Sequence, residues 1–340
     1  MKQYLLEARE KGPSEVVLVE VAPKPLSANE VRVRIEACSL NYRDLLMKSG
    51  MSASSGSDPV IPLSDGAGIV EEIGEGVTTW RLGDRVTPTF FRDWESGRFD
   101  MAYHTGARGG SCDGVLAESV IAPAHSLVRV PDYLSLAEAA TLPCAALTAW
   151  HAMMERGHPI GSGDTVLCLG TGGVSIFALQ IAKAAGAKVI ITSSSDEKRD
   201  MARNLGADET INYHETKDWD REVARLTDKR GVDAVIEVGG PGTLEKSMNS
   251  VAAGGFISLI GVLTGFAPPE ASLFTLVKKN VDLQGIYVGN REMFERMNGF
   301  FETHRIRPVI DSAFSFDEAL DAYTRLESAR HLGKIVISGC

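Results

Sequence analysis

The 340 residues are 44% hydrophobic and 24% charged with a formal net charge of −10, an ordinary globular composition long enough for about two domains. With no long Lys/Arg run, neither nucleic acid nor an anionic membrane is an expected partner, and no apolar run approaches the ~20 residues that cross a bilayer. The opening MKQYLLEAREKG lacks the apolar core of a signal peptide, and the five cysteines (Cys38, Cys112, Cys144, Cys168, Cys340) include no CxxC; both argue for a reduced, cytoplasmic setting and against a disulfide framework or four-cysteine zinc lobe.

From the start to about residue 123 the strand signals have period two. In Val31-Arg32-Val33-Arg34-Ile35-Glu36-Ala37 the apolar residues fall on alternate positions, as in a sheet with one wet face. Turn signals at Gly74-Glu75-Gly76 and Gly83-Asp84 divide the later strands, so this region reads as an antiparallel, barrel-like β domain. Residues 91–113 are polar, glycine-rich and aromatic, the composition of a long loop near a site or a partner. From about 124 to 288 the pattern alternates. Residues 165–169, 188–192, 234–238, 256–260 and 283–288 are short apolar runs with helical stretches between most of them, which implies a parallel sheet covered on both faces. A helix over 316–327 and a strand over 334–338 end the chain. The expected organisation is one domain from 1–123 and 289–340 and a second from 124–288.

Within the second region, Gly170-Thr171-Gly172-Gly173-Val174-Ser175 follows a strand, opens a helix and sits in a βαβ unit. It fits G-x-G-x-x-[G/A] except at its last position. The first glycine permits the tight turn, the second lets the main chain approach a pyrophosphate, and the free N–H groups of the helix start bind the anion. Ser175 stands where a third glycine normally allows close helix–strand packing, and serine is small enough to keep that packing. A cofactor with a free ribose 2′-hydroxyl calls for a carboxylate about 20 residues further on. Here Ser193-Ser194-Ser195 occupies that place, followed by Lys198 and Arg199. Hydroxyls and cations suit a 2′-phosphate, so NADP(H) is expected in preference to NAD(H). Ser194 and Glu197 also match a helix capping box, which leaves Ser193 free. Tyr213 is a candidate to stack on the adenine or touch the phosphate, or else a half-buried surface tyrosine.

The segments GAGIVEEIGEGVTTWRLGDRV (66–86), LPCAALTAW (142–150), the glycine turn and GKIVI (333–337) together resemble the medium-chain dehydrogenase/reductase superfamily over essentially the whole chain. The resemblance implies an α/β protein with a GroES-like β-barrel catalytic domain and a Rossmann doubly wound parallel sheet. Zinc members carry a metal cysteine in the segment that reads ACSLNYRD here, a His-Glu pair before AGIV, and a cysteine in LPC. At those positions this chain has Asn41, then Ser64 and Asp65, then Cys144. Two of the three metal-binding positions are lost, so no zinc is expected, and the chain is closer to the quinone oxidoreductase and enoyl reductase branches. There NADPH delivers hydride to a polarised C=C or a quinone, and the developing oxygen needs hydrogen-bond donors and a proton.

The resemblance assigns candidate roles. Thr148 packs on the nicotinamide, or is a helix threonine bonded to a carbonyl. Asn41 donates to a substrate carbonyl, or ties down its own turn. Tyr42 is a candidate general acid, or a core tyrosine. Arg43 stabilises negative charge or anchors a phosphate, or is a solvated loop cation. Asp65 orients a neighbour. Gly239, Gly240, Gly261, Val262 and Leu263 follow later strands, where main-chain groups are expected to meet ribose and carboxamide. Lys334 reaches the cofactor phosphates, or lies on the surface. The substrate is a small molecule, its pocket lined by residues 41–64, the 91–113 loop and residues near Tyr287. Two further readings stay open: a metal-independent alcohol or aldehyde oxidoreductase, and a non-catalytic NADPH-sensing protein. The strand at 283–288 is expected to be a sheet edge that pairs across a two-fold axis in a homodimer.

Overall fold

The computed structural model describes residues 1–7, 9, 12–50 and 59–340; residues 51–58 of the expected pocket lining lie outside them. The chain divides into two compact units, Met1–Leu147 with Gly289–Cys340, and Thr148–Val288. The first unit holds β1 (Lys2–Glu7), β2 (Glu15–Glu20), β3 (Glu30–Ser39), α1 (Tyr42–Lys48), β4 (Asp65–Ile73), β5 (Arg85–Pro88), β6 (Ser119–Pro123), β7 (Leu127–Arg129) and α2 (Leu136–Ala139). Helix α3 (Leu147–Met154) begins the second, which continues through β8 (Thr165–Cys168), α4 (Gly173–Ala184), β9 (Lys188–Ser193), α5 (Asp196–Asn204), β10 (Glu209–Asn212), α6 (Trp219–Leu226), β11 (Val232–Glu237), α7 (Leu244–Ser250), β12 (Val251–Leu259), α8 (Phe274–Lys279) and β13 (Asp282–Gly285). The chain then returns to the first unit with α9 (Arg291–His304), β14 (Ile310–Ser315), α10 (Ala319–Glu327) and β15 (Lys334–Ser338).

Alternation builds the first unit. In β3, Val31, Val33 and Ile35 are buried and Arg34 is exposed, so one face packs and the other is wet. The sheet runs β14-β15-β3-β4-β5-β7 and is antiparallel except where β14 pairs with β15. One edge of β3 is shared: β6 takes Glu30–Arg34 and β15 takes Ala37–Ser39. The domain boundary differs from the expected residue 124. Val86 of β5 pairs with Arg129 of β7, which binds residues 124–147 to the first unit. The 91–113 stretch is a packed lobe rather than an open loop. Phe91, Trp94, Phe99 and Tyr103 lie ring against ring at 5.0–6.0 Å, and the Arg291 N–H at the start of α9 donates to the Trp94 carbonyl at 3.1 Å.

Helices alternating with apolar strands build the second unit. Its six strands are parallel in the order β10-β9-β8-β11-β12-β13, so the order reverses between β8 and β11. That reversal is where doubly wound sheets bind ligands, outside the carboxyl ends of the strands. The last strand is an edge and is shorter than expected, Asp282–Gly285, because its pairing with β12 ends at Gly285 opposite Leu259; beyond it Val288 has φ +53°. Among the described residues no helix is long and apolar enough to cross a membrane.

Candidate active site

Within the second unit, the candidate binding feature is the turn after β8. Gly170 has φ +72°, a left-handed conformation that glycine adopts without penalty. Its N–H donates to the Thr192 hydroxyl at 3.0 Å, which fixes the turn against the end of β9. A Cβ built on Gly170 or Gly172 meets nothing within 4 Å, so the space above the turn is open to a ligand. Thr171 is buried, while Gly173 and Val174 open the 12-residue helix α4. Ser175 is buried and its hydroxyl donates to the Leu169 carbonyl at 2.7 Å, so the third-glycine position is filled by an internal hydrogen bond. At the end of β9 the Ser193 hydroxyl lies 3.5 Å from that of Thr171, and its carbonyl accepts from the Tyr213 N–H at 3.1 Å. The cap of α5 is Ser195, which accepts from the Lys198 N–H at 3.3 Å; the expected Ser194–Glu197 capping box does not form, because the helix starts one residue later. Arg199 is committed to Asp196 and Thr210. Ser193, 1% exposed, and Tyr213 adjoin at the ends of β9 and β10; Ser194 and Lys198 flank Ser195 in sequence, and the Asp196 carboxylate, which accepts from Arg199 and from Asn212 of β10, shares this strand end.

The turn after β11 is held by a residue that sequence reasoning missed. Glu237 is fully buried. Its Oε1 accepts from the Gly239 N–H at 2.7 Å, the Gly240 N–H at 2.9 Å and the Thr243 hydroxyl at 2.6 Å, and its Oε2 accepts from the Ser247 hydroxyl. Thr264 joins this turn to the one after β12: its hydroxyl donates to the Gly239 carbonyl and accepts from the Gly242 N–H, both at 2.8 Å. A Cβ on Gly261 would meet the Val238 carbonyl at 2.2 Å, and one on Gly239 the Thr243 hydroxyl at 2.2 Å. Internal packing thus demands those two glycines. Val262 is half-buried and Leu263 exposed at the same end.

Within the first unit, a buried polar cluster lies at the end of β3. Lys334 is 2% exposed. Its ammonium donates to the Leu40 carbonyl and to Asn41 Oδ1, both at 2.6 Å, and stands 3.9 Å from Asp65. It is spent inside the first unit, so the expected role on the cofactor phosphates does not hold. Asn41 caps α1 and its N–H donates to Asp44 at 2.7 Å. With Oδ1 taken by Lys334, its Nδ2 is buried with no acceptor within hydrogen-bond distance, although the amide still helps to hold the Asp65 carboxyl down. Asp65 accepts from the Ser64 hydroxyl at 2.7 Å and from the Cys144 N–H at 3.2 Å. Burial pushes its carboxyl above the usual range, against the pull of Lys334. Burial also pushes Asp44 up to about 6, against the pull of Arg43 and the Asn41 N–H. Arg43 is no solvated cation: it donates to the Arg108 carbonyl at 2.9 Å and lies over the Phe90 ring. Tyr42 is 41% exposed rather than a core residue. Thr148 is buried in the first turn of α3.

A glycine turn at the switch point of a 3-2-1-4-5-6 sheet is the geometry of a dinucleotide site. Residues 27–132 match the alcohol dehydrogenase GroES-like domain and residues 173–303 the zinc-binding dehydrogenase domain. The chain belongs to the medium-chain dehydrogenase/reductase superfamily. It is 44% identical to a zinc-type alcohol dehydrogenase-like protein of Schizosaccharomyces pombe, over 93% of this chain and 92% of that one. It is 32% identical to a quinone oxidoreductase of Pseudomonas aeruginosa, over 96% of each. The crystal structure of a putative alcohol dehydrogenase from Sinorhizobium meliloti superposes with a TM-score of 0.92 at 41% identity, covering 99% of both chains.

As a member of this superfamily the protein is an oxidoreductase. The superfamily's zinc position is a poor fit for a metal here. An amide whose oxygen holds Lys334, a hydroxyl that donates to Asp65, and a thiol pushed up by burial are what the three ligand positions offer. Among the described residues no three His, Cys, Asp or Glu side chains gather as a metal site.

Proposed function

We propose that this oxidoreductase is zinc-independent and NADP(H)-dependent, and that it transfers hydride to a quinone or an α,β-unsaturated carbonyl. The observation that carries the reading is the Asn41–Lys334 pair at a zinc-ligand position. Lys334 locks Oδ1, so Nδ2 is the amide's remaining donor, and an incoming carbonyl oxygen gives that unpaired N–H an acceptor.

Gly170, Thr171, Gly172, Gly173 and Val174 hold the pyrophosphate, with Ser193, Ser194, Lys198 and Tyr213 around the 2′-phosphate. Thr148 and the turns at Gly239–Gly240 and Gly261–Leu263 hold the nicotinamide end. NADPH bound there supplies hydride. Asn41 Nδ2 donates to the substrate oxygen as negative charge develops, Asp65 and Lys334 keep that amide oriented, and the exposed Tyr42 phenol delivers the proton. The alternative is carbonyl or alcohol chemistry without metal; its alcohol substrate draws on the S. pombe and S. meliloti relatives' names, the first of which also says zinc-type.

The test is loss of NADPH absorbance by metal-stripped protein offered a quinone, an enone and an aldehyde in parallel. Undiminished turnover of the quinone or enone is expected; activity that disappears with the metal and returns with zinc overturns the reading. NADPH should exceed NADH in kcat/KM by about tenfold or more, and equal values refute the 2′-phosphate assignment.

We further propose a cytoplasmic homodimer formed through β13. The edge carries unpaired main-chain groups, and Leu273, Phe274 and Val277 on and beside α8 are exposed. A monomeric mass by light scattering at micromolar concentration refutes the dimer.

A further inference from the structure

Strands β3 and β15 bring two thiols together that the hydride-transfer reading leaves unused. Cys38 is completely buried near the end of β3 and Cys340 is half-buried just past β15, and their sulfurs are 3.8 Å apart. The contact is built by the sheet. Ile337 pairs with Cys38, the Gly339 N–H donates to the Glu36 carbonyl at 3.0 Å, and Gly339 at φ +75° sends Cys340 onward. The two sulfurs are also unequally reachable. Cys340 borders an open groove of about 650 Å³ lined by Met1, Arg32, Arg34, Glu72 and Glu118. Cys38 instead donates its S–H to the Val115 carbonyl at 3.1 Å inside the core.

We propose that Cys38 and Cys340 are an oxidation site at which a peroxide joins β15 to β3 through a disulfide. The first step falls to Cys340, because burial pushes the Cys38 thiol well above its ordinary range and water does not reach it. The Cys340 sulfur attacks one peroxide oxygen, the O–O bond breaks, and one water leaves with a sulfenic acid on Cys340. The Cys38 sulfur then attacks that sulfenic sulfur, and its thiol proton departs with the displaced hydroxide as a second water. Two thiols are oxidised and one peroxide is reduced to two waters. To form the bond the sulfurs have to close from 3.8 Å to the ~2.05 Å of a disulfide. The bond tethers positions 302 residues apart, which removes freedom from the unfolded chain and little from the folded one.

The experiment treats the full chain with a small excess of hydrogen peroxide, caps remaining thiols and maps peptides without reduction. The expected product is one intrachain link between the Cys38 and Cys340 peptides, two hydrogens lighter, reversed by dithiothreitol and absent from Cys340→Ser. The oxidised wild type should also melt at a higher temperature than the reduced form, with no such rise in peroxide-treated Cys340→Ser. Sulfinic or sulfonic acid on Cys340 with Cys38 intact overturns the proposal, as does a link between two chains or oxidation of Cys112 or Cys144 ahead of the pair.

Discussion

At the turn after β8 the open surface is main chain from consecutive residues, whereas the cluster around Lys334 ties the side chains of Asn41, Asp65 and Lys334 to the Leu40 carbonyl and the Cys144 N–H, positions far apart in sequence. The first kind of site needs glycine where a side chain would intrude, and is otherwise indifferent to side-chain identity. The second needs each buried charge to find its partner, and is unforgiving at every member. Glu237 shows that the two designs meet: the main-chain turn after β11 holds its shape because one buried carboxylate accepts from four donors.

That contrast can be broken at three places. The largest effect is expected at Glu237→Ala, which strands two N–H groups and two hydroxyls in a buried turn; a loss of about 3–5 kcal/mol in urea unfolding should accompany weakened NADPH binding. A variant with wild-type stability would show that the turn holds itself. Next comes Gly172→Val. Its φ of −76° suits any residue and its Cβ position is open, so unfolding should stay within about 0.5 kcal/mol of wild type. NADPH Kd should rise by about a hundredfold, because the side chain takes the phosphate's space. Unchanged affinity would remove the phosphate from this turn. The smallest effect is expected at Asp44→Asn. Burial lifts the folded carboxyl to about 6, above its unfolded value. The folded state therefore holds the extra proton between roughly pH 4 and 6, and its stability falls as pH rises through that window. Asparagine still accepts from the Asn41 N–H, so the variant should lose this pH slope and gain about 1–3 kcal/mol at pH 8. An identical slope in both proteins would mean that Asp44 titrates normally.

What could be read from the chain follows the same division. The alternation of β3, the βαβ rhythm and the glycine turn are local patterns, and each carries its own physical reason in a few neighbouring residues. Lys334 was misplaced because nothing in GKIVI says that β15 inserts between β14 and β3 and carries its ammonium to Asn41. Glu237 was overlooked because a lone acid at a strand end has no signature; the cue was the run of Gly239, Gly240, Thr243 and Ser247 after it, all donors within ten residues. The boundary at residue 148 escaped for a similar reason, since β7 is three residues long and its pairing with β5 has no local trace. Tyr42 was weighed as a core tyrosine because aromatic residues favour the interior, yet at the first position of α1 it faces out.

The insertion of β15 beside β3 also sets an order of assembly. The Ser39 hydroxyl donates to the Ile335 carbonyl across 296 positions, so β3 waits for that neighbour until almost all of the chain has been made. The six strands of the second unit, by contrast, are all present once residue 285 has emerged. During synthesis the second unit has every strand it needs while β3 still lacks β15, and for that interval the half-edge at Ala37–Ser39 offers unpaired main-chain groups to other chains.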